Sequence, residues 1–160
     1  GATGRAAAVK VLLQRVSRAA VRVNGVPVSS IGRGVLALVG VEAGDRDADA
    51  SYLADKTAEL RIFSDDRGKM NLGLLEVRGE ALVVSQFTLA ASTRRGRRPS
   101  FSSAAAPEEA ERLYRAYAER LASRGVRVET GRFQETMEVE LVNEGPVTVL
   151  LDPRPDPERP

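Results

Sequence analysis

Ser85-Gln86-Phe87-Thr88 ends an apolar run, Leu82-Val83-Val84, with two hydroxyls, an amide and an aromatic ring. Two chemistries are open to such a stretch. A strand end can present free backbone N–H groups, and a set of these stabilises the oxyanion formed when an ester carbonyl is attacked. Alternatively Thr88 is a nucleophile, which needs a neighbouring base to take its proton. The plain structural reading is that Ser85 and Gln86 satisfy backbone groups at a strand edge.

Two further stretches carry similar ambiguity. In Asn143-Glu144-Gly145-Pro146-Val147-Thr148 the glycine permits close backbone approach and the proline removes a donor. By itself this reads equally well as a hairpin turn, and the state of the bond before Pro146 stays open, since only about 5–6% of X-Pro bonds are cis. Arg94-Arg95-Gly96-Arg97-Arg98 is the densest charge in the chain. It reads as a solvated loop or, lying so soon after Thr88, as a phosphate contact. Phe101 just beyond either packs against that loop or stacks on a base.

Composition narrows the chemistry. The chain has 160 residues with no His and no Cys. A Ser-His-Asp triad, a Cys-His pair, a histidine base, a disulfide and a thiolate zinc site are all excluded within it. An enzyme built from this chain works with carboxylates, Lys, hydroxyls, backbone amides, a partner chain or its own substrate. Twenty-four Lys and Arg face 22 Asp and Glu, so net charge says little about partners and local clustering says more. The acidic groups Asp45–Asp49 and Asp65-Asp66 match no strong ligand spacing and read as cap and turn residues, so no metal or other cofactor is expected. No apolar run approaches the ~20 residues of a membrane span. Residues 1–8 lack the apolar core of a signal peptide, and the expected location is the cytoplasm.

The elements that must position these residues follow from periodicity and turn chemistry. Strands are expected over 9–16 and 19–23, with Asn24-Gly25 as a hairpin turn into 26–31. Val35 to Val41 reads as a central strand. A helix over 47–60 carries Ala50, Leu53, Ala54, Thr57 and Leu60 at helical spacing. Short strands are expected at 61–63 and within 70–77, and a strand from Ala81 to Phe87. Residues 90–106 read as an irregular loop. Pro107 suits the first position of a second helix with Ala110, Leu113, Tyr114, Tyr117 and Leu121 on its core face and Gly125 ending it. Strands at 126–130, 137–142 and 147–151 complete the set, and the proline-rich 153–160 reads as a disordered tail. The resulting class is α+β, a mostly antiparallel, barrel-like sheet core with two main helices packed outside. One domain over 9–152, preceded by an extra segment 1–8, accounts for the length.

In this order the motifs resemble those of the D-aminoacyl-tRNA deacylases of bacterial and eukaryotic type. The resemblance rests on Leu13-Gln14-Arg15-Val16-Ser17-Arg18-Ala19, Ser85-Gln86-Phe87-Thr88-Leu89, Gly96-Arg97-Arg98-Pro99-Ser100-Phe101 and Asn143-Glu144-Gly145-Pro146-Val147-Thr148. Membership would imply a homodimeric editing enzyme that hydrolyses the ester joining a D-amino acid, or glycine, to the 3′-terminal adenosine of tRNA. It would place Ser85, Gln86, Phe87 and Thr88 around the pocket, with backbone amides near Phe87 and Thr88 facing the ester. Met137 would help wall the pocket. Gly145-Pro146 would be a cis element entering the partner subunit's pocket, braced by Arg15. The implied partners are the aminoacylated 3′ end of tRNA and a second copy of the chain, without DNA or membrane. Arg94, Arg95, Arg97 and Arg98 are this reading's own candidates for tRNA backbone contact. A deacylase with Thr88 as nucleophile and a non-catalytic tRNA-binding module remain the alternatives.

Overall fold

The computed structural model describes residues 9–152. The expected extra segment 1–8 and the tail 153–160 lie outside the described residues. Eight strands and two helices follow in the order β1 (Lys10–Val23), β2 (Val26–Ile31), β3 (Gly34–Gly40), α1 (Asp47–Glu59), β4 (Phe63–Ser64), β5 (Met70–Leu72), β6 (Glu80–Ser85), α2 (Pro107–Ser123), β7 (Arg127–Thr130) and β8 (Glu138–Leu151). A 3-10 turn, Phe87–Ala90, follows β6.

β1 organises the sheet. β2 and β3, taken end to end, retrace it antiparallel from Val23 back to Lys10, and β8 also pairs with it antiparallel. Beyond β3 the sheet turns parallel, with β6 beside β3 and β7 beside β6. The connections into these parallel strands contain α1 and α2, which is how a crossover must be built. The sheet is mostly antiparallel, but hairpin succession alone does not describe it.

Three expectations about strand limits are corrected. The strands expected at 9–16 and 19–23 are one strand of 14 residues. Ser17 and Arg18, which read as a break, form a bulge: Val16 pairs with Asn143 and Arg18 with Val142. An added residue on one strand flips the side-chain alternation, so Val16, Ala19 and Val21 join one apolar cluster while Val11 and Leu13 join another. Likewise the turn expected between 137–142 and 147–151 is not a reversal, because β8 runs unbroken through it. Its register jumps from Asn143 opposite Val16 to Thr148 opposite Gln14, so the segment between them bulges out of the ladder. Finally, the strand expected to reach Phe87 stops at Ser85.

The sheet is covered on both faces. One cluster joins Val11, Leu13, Val35, Val39 and Val83 to Leu53, Leu113, Tyr117 and Leu121 of the helices. The other gathers Val16, Val21, Ile31, Leu36, Leu82 and Val84 on the opposite face, with Met137 and Leu141 against them. Double coverage explains why Val35 to Val41 is apolar without alternation. Between the helices, the Thr57 hydroxyl donates to the Leu53 carbonyl at 2.8 Å and meets the Tyr117 hydroxyl at 2.7 Å. No helix among the described residues is long and apolar enough to cross a membrane.

Candidate active site

The end of β6 is shaped by a glycine on the neighbouring strand. The last ladder bond runs from Gln86 N to Val39 O at 2.8 Å. The chain then folds over the end of β3 into the 3-10 turn. A side chain at Gly40 would stand 2.6 Å from Leu89 Cβ and 3.1 Å from Gln86 O, so only glycine lets the turn lie this close. Leu89 N takes up the Gln86 carbonyl at 3.2 Å. The Phe87 and Thr88 amides are the first two of the turn, where no acceptor inside it can exist, and no other described residue accepts from them.

Beside this turn lies a cavity of about 580 Å³. Ser85, Gln86 and Phe87 form one wall with Val41 and Val84; Ala104, Ala105, Pro107 and Ala110 form a second; Phe133, Gln134, Glu135, Thr136, Met137 and Val139 form the third. Met137 is held by the Arg132 amide, which donates to its sulfur at 3.3 Å. Tyr114 braces the third wall, its ring stacked on Phe133 at 6.1 Å. Burial pushes the Tyr114 hydroxyl pKa up, so it stays protonated. Tyr114 and Tyr117 both sit in the core, as the helical spacing indicates.

Thr88 does not line the cavity. It is exposed, and its hydroxyl oxygen accepts from the Gln86 side-chain amide. No described Lys, Asp or Glu bonds to it, so nothing here takes its proton.

Gly145 and Pro146 are exposed, joined by a cis peptide bond, and absent from the lining of their own chain's cavity. They project from the β8 bulge, with Gly145 at φ 126°, a conformation that L side chains rarely adopt. Arg15 lies behind them, 8% exposed. Its Nε donates to the Glu144 carbonyl at 2.9 Å, its Nη1 to the Ile62 carbonyl at 2.7 Å, and the Glu144 carboxylate stands 3.6 Å away.

The basic stretch is a pinched loop. Ser92 and Ser100 exchange two backbone hydrogen bonds of 2.8 Å, closing off 93–99. Arg94, Arg95, Arg97 and Arg98 are exposed, and none forms an ion pair with a described acid. Phe101 packs on Phe87, ring centres 5.0 Å apart and planes at 59°, which joins the foot of this loop to the cavity wall.

The acidic groups serve as turns and caps. Asp45 Oδ2 accepts from the Glu42 amide and Asp49 from the Arg46 amide. Asp65 takes the Arg67 and Lys69 amides and the Asn71 side chain. Among the described residues no group of three such side chains could hold a metal ion.

The sequence missed Phe133, Glu135, Ala104 and Ala105. The last two offer no local signal, and Phe133 only that of a lone aromatic among polar residues.

Comparison with known proteins agrees along the whole described chain. The family model described as D-Tyr-tRNA(Tyr) deacylase matches residues 12–152. A protein of Thermomicrobium roseum named D-aminoacyl-tRNA deacylase is 61% identical over 144 residues, 90% of this chain and 94% of its own. One of the same name from Ruegeria pomeroyi is 58% identical over 144 residues, covering 90% of this chain and 99% of its own. A solved structure of a protein named "c-Myc DNA Unwinding Element Binding Protein" is similar at a TM-score of 0.83 and 36% identity, over 89% of this chain and 97% of that one. A probable eukaryotic D-amino acid tRNA deacylase structure, 22% identical with a TM-score of 0.78 over 91% of this chain and 99% of its own, shares the fold.

Proposed function

The chain belongs to the D-Tyr-tRNA(Tyr) deacylase family, and we propose that it hydrolyses the ester of D-aminoacyl-tRNA with backbone amides as its principal catalytic groups. The observation that carries this reading is the pair of amides at Phe87 and Thr88, just past the end of β6 beside a cavity and without an acceptor among the described residues, in a chain without His or Cys.

The chemistry is within reach of such a site. Water adds to the ester carbonyl carbon, the carbonyl oxygen becomes an oxyanion held by the two amides, and the C–O bond to the ribose breaks. The leaving 3′ oxygen takes a proton, and the neighbouring 2′-OH of the substrate can relay it. An aminoacyl ester is activated, so positioning and oxyanion stabilisation suffice without a protein nucleophile. Thr88, whose hydroxyl is engaged by Gln86, would contribute its main-chain amide and not its side chain.

Chirality would be read by exclusion. The exposed Gly145-Pro146 element fits a role in the pocket of a second copy, since it does not line its own. Its carbonyls would hold the α-amino group and leave no room for an L side chain, whereas a D side chain points away. Glycine has no side chain to reject, so glycyl-tRNA would also be hydrolysed. The homodimer would then be a condition of specificity. Ser85, Gln86 and Met137 would bound the substrate, and Arg94, Arg95, Arg97 and Arg98 would meet the tRNA backbone. A charged-tRNA substrate puts the reaction in the cytoplasm.

Release of D-tyrosine from D-tyrosyl-tRNA, with L-tyrosyl-tRNA left intact under the same conditions, is the expected result. Tight RNA binding with neither amino acid released would favour the second reading, a nucleic-acid-binding module. That reading has one specific support: the relative of known structure that is 36% identical is named as a DNA-binding protein.

A further inference from the structure

We propose that Phe101 forms a stacking subsite for the unpaired nucleotide that precedes the terminal adenosine of the substrate RNA. The inference rests on the deacylase reading and adds a second contact on the nucleic acid, outside the cavity.

Two large rings stand side by side in solvent at the cavity's edge. Phe101 is 39% exposed and Phe87 57%. Their rings pair at 5.0 Å with planes tilted by 59°, and both keep surface for a further contact. Paired apolar surface left in water beside a binding cavity marks an interaction site.

The main chain at Phe101 is also held by hydrogen bonds on both sides. The Ser92–Ser100 bonds fix the residue before it. Ala104 N closes a turn on the Phe101 carbonyl at 3.0 Å, the Ser103 hydroxyl donates to Ala90 O at 2.9 Å, and Ala43 N donates to Ser103 O at 2.9 Å. With the main chain held in this way, only the side-chain torsions of Phe101 remain to be ordered on binding.

Charge identifies the occupant. The loop that ends at Ser100 carries four guanidiniums unpaired with any described acid. Cationic side chains that follow a phosphate backbone, beside an exposed aromatic face, are the combination that binds single-stranded nucleic acid. Base stacking tolerates any base, so this subsite would recognise a single-stranded end rather than a sequence. Each base stacked in this manner typically gains about tenfold or more in affinity.

The test uses an uncharged RNA hairpin with a single-stranded 3′ end, the base before the terminal adenosine replaced by 2-aminopurine, whose fluorescence falls on stacking. Quenching at saturation with the wild-type protein, lost in Phe101→Ala and kept in Phe101→Tyr, is the expected result. Arg97→Gln with Arg98→Gln should weaken binding and flatten its salt dependence while the saturated quenching stays. Kinetics supply the second readout. Extending a D-tyrosyl-adenosine ester to the corresponding cytidine-cytidine-adenosine trinucleotide should lower KM about tenfold in wild type, and Phe101→Ala should abolish that gain. Quenching unaffected by Phe101→Ala, or an equal kinetic loss on both substrates, overturns the subsite and leaves Phe101 as a prop for Phe87. Quenching without hydrolysis of any ester would instead sink the deacylase reading and leave the subsite standing.

Discussion

If Gly145-Pro146 excludes L substrates as proposed, Arg15 is where fold and chirality meet, and replacing it separates the two. In Arg15→Met the aliphatic stem stays and both donors go. The Glu144 and Ile62 carbonyls then lose bonds of 2.9 and 2.7 Å. An acceptor left unsatisfied in a buried place costs about 1–3 kcal/mol. Water can reach the half-exposed Glu144 side, so the total is about 2–4 kcal/mol. For a domain of this size that lowers the melting midpoint by roughly 5–15 °C. Arg15→Lys keeps the charge but has a point donor in place of a fork, and should fall between. The functional consequence is separate. With Glu144 unheld, the β8 bulge that carries Gly145 and Pro146 loses its seat, and exclusion of L substrates weakens first. Deacylation of L-tyrosyl-tRNA should rise relative to D-tyrosyl-tRNA in Arg15→Met, measured at a temperature where the variant is folded. A melting midpoint unchanged to within about 2 °C would refute the bracing. A lowered midpoint with D/L selectivity intact would refute the link from brace to chirality.

Other perturbations probe different parts of the molecule. Thr88→Ala should keep D-tyrosyl-tRNA deacylation within about tenfold of wild type, whereas a loss of a thousandfold or more in a folded variant would make Thr88 the nucleophile after all. In Gly40→Ala the new Cβ presses on Leu89 and Gln86 and shifts the turn that carries the amides; a displacement of about 1 Å costs about a hundredfold in rate, so activity should fall far more than stability in denaturant titration. Asp45 is 7% exposed, and burial, aided by the charges of Asp49 and Glu42, pushes its pKa up to about 6. Its folded pKa lies above its unfolded one, so it favours the fold most below about pH 4, and that contribution drains away as pH rises to about 6. Asp45→Asn should therefore be more stable than wild type at pH 7.5, by up to about 3 kcal/mol, with the advantage gone near pH 4; equal denaturant midpoints at pH 7.5 would contradict this.

The parts of the fold legible in the sequence were those set locally. Asn24-Gly25, Pro107 and the helical spacing of Leu113, Tyr114 and Tyr117 each fix their element within a turn or two. What misled was chemistry shared by turns and bulges. Ser17-Arg18 and Asn143–Pro146 carry the polar, Gly and Pro residues of a reversal, yet in both places the strand continues. Whether a chain reverses or bulges there depends on β1 and β8 pairing along their whole length, and those partners lie far apart in sequence. The limit of β6 was hidden for the same reason, since the turn that follows it fits only against Gly40, on another strand. The site divides along the same line. Ser85 to Phe87 announce themselves, and Met137 follows from the family resemblance; the rest of the third wall, Phe133 to Thr136, is brought to them only by the fold.

A consequence follows for how this site tolerates change. When catalysis rests on side chains, substitutions at those residues are the damaging ones. Here the proposed catalytic atoms are main-chain amides, which every residue but proline supplies. The side chains of Ser85, Gln86 and Phe87 then matter for the wall they make, and most substitutions along the Ser-Gln-Phe-Thr stretch should be graded in effect. The positions with no substitute are those that set main-chain geometry from a distance. Gly40 gives the room for the turn, and Gly145 takes a φ of 126° on the bulge that Arg15 holds through Glu144. None of these three supplies a reacting atom. Scanning alanine through Ser85–Thr88 should therefore leave more activity than a single change at Gly40, the reverse of the order expected for a site run by a nucleophile and a base.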